Sequence, residues 1–106
     1  MDEIVVLVTA MDEDEAAKIA TELVRERLAA CVNIIPKVRS IYRWQGAVED
    51  STEAMMLIKT RRDLFEPMAA CVKRNHSYSV PEIMAVPIVE GSLDYLSWLR
   101  KETGQA

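Results

Sequence analysis

His76 is the only imidazole in this chain of 106 residues, so a histidine-rich metal site cannot be built within one subunit and must borrow ligands. It stands in the stretch Asn75-His76-Ser77-Tyr78-Ser79-Val80-Pro81-Glu82. That stretch gathers an imidazole, hydroxyls, a phenol and a carboxylate into one connection, and connections often carry sites. Imidazole is a metal ligand, and any such chemistry needs partner groups. The same histidine also reads as a helix C-terminal residue favourable to the dipole, followed by an ordinary loop. Spacing alone leaves both readings open.

The remaining chemistry-bearing residues are scattered. Cys31, between Ala30 and Val32, is a soft ligand or nucleophile by type but a packing residue by position. Cys71 falls on an apolar helical stripe, where burial makes a thiol inert. Neither cysteine lies in a Cys-x-x-Cys pair, so free thiols are expected. Lys59, with Arg61 and Arg62 beside it, could clamp an anion or simply end a solvated strand. The acids Asp12 to Glu15 resemble a cation site in composition, yet the helix dipole accounts for them. No Gly-rich phosphate loop, nucleophile elbow or His-Glu-x-x-His motif occurs, so no catalytic motif is found.

Several elements must position these groups. Ile4 to Thr9 is a β-branched and apolar run that reads as a strand buried on both faces. Asp12 offers an N-cap with Glu15 three residues on, and Ala16, Ile19, Ala20, Leu23, Val24 and Leu28 follow at helical spacing. Cys31 to Ile35 is strand, with a bend or bulge expected at Pro36. From Val38 the chain alternates as an extended arm, Gln45-Gly46 signals a hairpin, and Met55 to Ile58 returns as an apolar run. Asp63-x-x-Glu66 predicts a capped second helix starting near Asp63, with Pro67 in its first turn. Ile83 to Val89 is a last strand, and Pro87 argues for an edge or a bulge. Ser92 can cap a final helix with Leu93, Leu96 and Leu99 inward and Gly104 near its end.

This order predicts an α+β fold, a ferredoxin-like plait of βαββαβ plus a C-terminal helix, with a long β-hairpin. Helices on one face of such a sheet leave the other open. The strands carry too much apolar and aromatic surface for exposure, which predicts packing against other subunits.

Composition narrows the function. Half of the residues are apolar and 28% are charged, which fits one folded domain over residues 1–106. Net charge is −4 and the pI near 5.0, the wrong sign for a nucleic-acid surface. No strictly apolar run exceeds the five residues of Ile4 to Val8, far too few to span a bilayer. Asp2 and Glu3 stand where a signal peptide carries positive charge. A cytoplasmic protein is expected.

Five segments together resemble the CutA family of divalent-cation tolerance proteins: Ala29-Ala30-Cys31-Val32-Asn33-Ile34-Ile35-Pro36, Ser40-Ile41-Tyr42-Arg43-Trp44-Gln45-Gly46, Ile58-Lys59-Thr60, His76-x-Tyr78-x-Val80-Pro81-Glu82-Ile83 and Tyr95-Leu96-x-Trp98. The resemblance implies a homotrimer whose sheets face one another around an axis, and a role in tolerance of copper and other divalent ions without an established reaction. It places a pocket at the subunit boundary, lined by Trp44, Glu53, Lys59, His76, Tyr78 and Glu82, with the Cys31 thiol nearby. The family's His-Pro-Tyr is His76-Ser77-Tyr78 here, and Val8 and Asn75 stand where some members carry copper ligands. Copper then rests on His76, with Glu82 or a neighbour's group added. Two functions follow: a metal-responsive trimer binding Cu²⁺ or another divalent cation through His76 and Glu82, or a PII-like interface sensor or scaffold in which Lys59, Tyr78 and Glu82 meet an organic anion.

Overall fold

The computed structural model of the chain describes residues 2–104; Met1, Gln105 and Ala106, the outer residues of the expected unit, lie outside it. Strand β1 (Glu3–Ala10) leads through helix α1 (Glu13–Arg25) to the hairpin of β2 (Cys31–Trp44) and β3 (Ala47–Arg61). Helix α2 (Phe65–Arg74), strand β4 (Ile83–Pro87) and helix α3 (Leu93–Glu102) complete the order. The four strands form one antiparallel sheet in the order β2-β3-β1-β4.

Alternation along the strands sorts the two faces. Ile4, Val6, Val8 and Ala10 of β1, with Ala54, Met56 and Ile58 of β3, are buried against Ala16, Ile19 and Leu23 of α1 and Met68 and Val72 of α2. Val5 and Leu7, on the opposite face, are only half-buried. In the single chain, therefore, β1 is not covered on both sides as its sequence predicts. By register that face also carries Met55, Leu57, Ile35, Met84 and Val86, of which Ile35, Met84 and Val86 are exposed.

Local signals hold at most junctions. The Asp12 carboxylate accepts from Glu15 N–H at 2.9 Å. The ladder of β2 and β3 slips between Ile35 and Val38, where Pro36 has no N–H to give. Gln45 and Gly46 have φ of 49° and 83°, the positive pair a type I′ turn needs. Pro87 lies on the edge strand opposite Ile4.

Four local expectations are corrected. Asp63 does not cap α2; both its oxygens bind the Arg61 guanidinium, at 2.8 and 2.6 Å, because a buried cation needs a counter-ion more than a helix end needs a cap. The chain enters α2 through a 3₁₀ turn, Arg62–Leu64, which keeps Pro67 in the first α turn. Strand β4 stops at Pro87 rather than Val89, and Ile88 N–H closes it on Glu3 O at 3.1 Å. Val24 leaves the stripe of α1 for solvent. Leu96 and Leu99 of α3 are buried, but Leu93, its first residue, is 79% exposed.

Helix α3 is fastened to one end of the open face. Arg100 donates to Glu3 at 2.8 Å. Arg61 donates to the Thr103 hydroxyl and carbonyl, each at 2.9 Å.

Candidate functional site

At the other end of that face lies a cleft of about 720 Å³ between the hairpin arm and the loop after α2. The arm supplies Arg39, Tyr42, Trp44 and Glu53, and the loop supplies Tyr78 and Glu82. Glu53 sits just past the Pro36 bulge, opposite Val38. A slip of this kind bends the bulged strand, at the base of the arm that forms one wall of the cleft.

The carboxylate of Glu53 is 7% exposed and accepts from the Tyr78 hydroxyl at 2.7 Å. Burial, then that hydrogen bond and the Glu53 charge, push the Tyr78 phenol well above its ordinary range, so Tyr78 stays a neutral donor. Burial and the charge of Glu53 push the Glu82 carboxyl up. Arg39, the cleft's cation, is taken: its Nε and Nη2 bind both oxygens of Asp50 at 2.9 and 2.6 Å. That bond holds Asp50 below its usual range. The Tyr42 hydroxyl lies 3.3 Å from Ser51 Oγ.

His76 lies behind the cleft with a fully buried side chain. Its Nδ1 accepts from Tyr78 N–H at 3.1 Å, which assigns the proton to Nε2, 2.7 Å from Thr9 O. Both nitrogens are used, and in this conformation the ring has no lone pair for a metal. Glu15 completes the support. It accepts from Met11 N–H and Ser77 N–H, each at 3.0 Å, and lies 3.7 Å from His76 Nδ1. Burial would push the Glu15 carboxyl up, but the bonds from Met11 and Ser77 outweigh it and hold the group below its ordinary value. The His76 and Tyr78 rings meet at 4.7 Å.

The expected pocket is thus divided. Trp44, Glu53, Tyr78 and Glu82 come together, and His76 stands behind them. Lys59 and Cys31 do not join them. Paired with each other across β2 and β3, they lie six residues along β3 from Glu53, about 20 Å at ~3.3 Å per residue. Cys31 neighbours Tyr95 of α3, whose phenol is pushed up by burial and by that thiol. Cys71 is buried as expected, and burial pushes its thiol up. Sequence reasoning missed Arg39, Tyr42 and the bridging role of Glu15. A capping pattern reports bonds within one turn, whereas Glu15 also holds a loop 62 residues on.

The fold is shared with known proteins. The family model "CutA1 divalent ion tolerance protein" covers residues 4–102. The chain belongs to the CutA1 family. The divalent-cation tolerance protein CutA of Thermus thermophilus is 53% identical over 100 residues, 94% of this chain and 97% of that one. Protein CutA of Homo sapiens is 43% identical over 96 residues, 91% of this chain and 54% of that one. The chain likewise spans 55% of the chloroplastic CutA of Arabidopsis thaliana. Among solved structures, the Cut A1 protein from Thermus thermophilus superposes with a TM-score of 0.94 over 96% of this chain and 99% of that one, at 53% identity. The periplasmic CutA from Archaeoglobus fulgidus gives 0.93 over 95% and 98%, at 38% identity. CutA relatives carry names of ion tolerance rather than of a reaction.

Among the described residues no three His, Cys, Asp or Glu side chains converge on one point. The cleft offers carboxylate oxygens and no free imidazole. This donor set suits an ion held through oxygens and water, and does not fit a closed copper centre.

Proposed function

We propose that this CutA1 chain forms a homotrimer that binds divalent cations weakly through Glu82 and Glu53, in a cleft at the boundary between subunits. The observation that carries this reading is the pair of carboxylates facing one cleft whose Arg39 is already committed to Asp50. Burial and, after it, the Glu53 charge raise Glu82, and a cation entering there offsets both. The strand order β2-β3-β1-β4 supports a ferredoxin-like plait, and the apolar open face supports trimer contact there. Copper binding follows the same route and is weak. His76 acts from behind by holding Tyr78, and ligates only if its ring leaves Thr9 and the Tyr78 amide. Free thiols at Cys31 and Cys71 agree with residence in the cytoplasm.

Within one chain the organic-anion reading finds Lys59 at the other end of the sheet and Arg39 paired with Asp50.

Calorimetric titration of Cu²⁺ and Mn²⁺ into wild type, Glu82→Gln and His76→Ala at two pH values tests the proposal. Binding is expected to fall with pH and to be lost in Glu82→Gln. Copper affinity unchanged in Glu82→Gln but abolished in His76→Ala would return the site to the imidazole. Sedimentation at micromolar concentration with a mass near one subunit would overturn the trimer. Trp44→Ala is expected to weaken assembly more than the subunit fold, since the arm gives the ring little core to fill. Unfolding of that variant without prior dissociation would contradict this placement.

A further inference from the structure

The Tyr78 hydroxyl is bound to one of the two carboxylates proposed to meet the cation, donating to Glu53 Oε2 at 2.7 Å. The rest of the residue is fixed from several sides. Its N–H donates to His76 Nδ1 at 3.1 Å, and the two rings lie 4.7 Å apart. His76 is itself held to Thr9 O at 2.7 Å, and Ser77 gives its N–H to Glu15 at 3.0 Å. Burial, more than the bond to Glu53, keeps the phenol protonated, so the hydroxyl remains a donor. All of these contacts lie within one chain and do not rest on how much of the cleft a neighbouring subunit fills.

We infer that Tyr78 sets the ion selectivity of the seat: by engaging Glu53 Oε2 it holds Glu53 to one-oxygen coordination through Oε1, which favours small ions that keep their water, Mg²⁺ and Mn²⁺, over Ca²⁺. This rests on the reading that Glu53 and Glu82 form the cation seat, and it names the class of ion that the seat takes. Ca²⁺ gathers about six to eight oxygens and uses carboxylates through one oxygen or both. Mg²⁺ demands a near-octahedral shell, gives up its water reluctantly, and is bound through one or two carboxylates with several waters kept. Mn²⁺ suits the same oxygen ligands. Two carboxylates, one of them held to a single oxygen, match the second pattern. An oxygen that accepts a short hydrogen bond to its charge has less electron density to give an ion, and hydrogen-bonded partners of ligating carboxylates tune a metal site in this way. Tyr78 is thus a positioning residue acting through Glu53. Because the backbone of Tyr78 is tied to His76 and that of Ser77 to Glu15, the phenol is held over Glu53 before any ion arrives, and less binding energy goes into placing it.

The test is calorimetric titration of Mn²⁺ and Ca²⁺, separately and in competition, into the intact oligomer of wild type and of Tyr78→Phe, which keeps the ring against His76 and removes only the hydroxyl. Wild type is expected to bind Mn²⁺ at least about tenfold more tightly than Ca²⁺, and Tyr78→Phe to narrow that ratio about tenfold, within the range by which hydrogen-bonding partners of metal ligands change affinity. Glu15→Ala, which frees Ser77 and leaves the phenol in place, should narrow it by a smaller factor. Infrared difference spectra with isotope-labelled glutamate give the second readout, because the antisymmetric and symmetric carboxylate stretches lie closer together in two-oxygen than in one-oxygen coordination. On loading with Ca²⁺, Tyr78→Phe should gain a two-oxygen component over wild type, and adding Glu53→Gln should remove that gain. An unchanged ratio in Tyr78→Phe, or equal affinity of wild type for the two ions, would overturn the inference. If binding of both ions is then still lost in Glu82→Gln, the cation seat stands without this selectivity. If wild type binds neither ion, the seat and the inference fail together.

Discussion

The two ends of one sheet face treat their charges in opposite ways. At the α3 end, the buried Glu3 carboxylate meets Arg100, and the buried Arg61 meets Asp63 and both oxygens of Thr103. Each charge there is answered within the chain. At the cleft end, the buried Glu53 has a phenol for company and Glu82 is raised by burial and then by the Glu53 charge, while Arg39 in the cleft wall is held by Asp50. Paired buried charges fasten a helix; unpaired ones facing a cavity keep binding capacity for something outside the chain. The difference separates structural from functional electrostatics within a single sheet.

Substitutions at the two ends should therefore show in different measurements. The largest effect is expected from Arg61→Ala, which strands Asp63 and Thr103 and releases α3. Breaking a buried charged network costs about 3 to 5 kcal/mol, read by denaturant melting, with no change in metal affinity per folded protein. A loss below about 1 kcal/mol would mean that the network is not structural. Next comes His76→Ala, which removes the bonds to Thr9 O and Tyr78 N–H and is expected to cost about 2 kcal/mol. Amide exchange at Ser77 and Tyr78 should accelerate while α3 stays protected. Uniform acceleration over both ends would erase the distinction.

The smallest effects are those of pH, and they run in opposite directions. Glu15 is held below its ordinary value of 4.5, so its contribution is present above that value and lost as pH falls through the lower folded one. Glu82 is raised above 4.5, so its contribution is present below that value and lost as pH rises through the folded one. Glu82→Gln should flatten the upper part of the stability profile, and Glu15→Gln the lower part. Profiles measured by thermal melting that remain unchanged in both variants would contradict these assignments.

Features decided within a few residues were legible in the sequence. The Asp12 cap, the Pro36 slip, the Gln45-Gly46 turn and the edge position of Pro87 each follow from one side chain's geometry. Asp63 misled because its spacing to Glu66 fits a cap while Arg61, two residues away, competes for it. Leu93 misled because period alone does not say where a helix begins to touch the sheet. At the site, resemblance put Lys59 in a pocket between subunits with Cys31 nearby, and within one chain strand register sets both about six residues from Glu53. Glu15, Thr9 and Ser77 meet only through the tertiary path around His76, which no local pattern reports. The apolar open face, in contrast, was foreseeable from strand composition.

The proposed cation seat is tested most directly by adding Mn²⁺ to the isotope-labelled protein and recording which backbone amides broaden. Broadening centred on Glu53, Tyr78 and Glu82, abolished in the Glu53→Gln/Glu82→Gln variant, is the expected result. Broadening centred instead on Cys31 and Lys59, or on Asp12 to Glu15, would contradict the division between the two ends of the sheet.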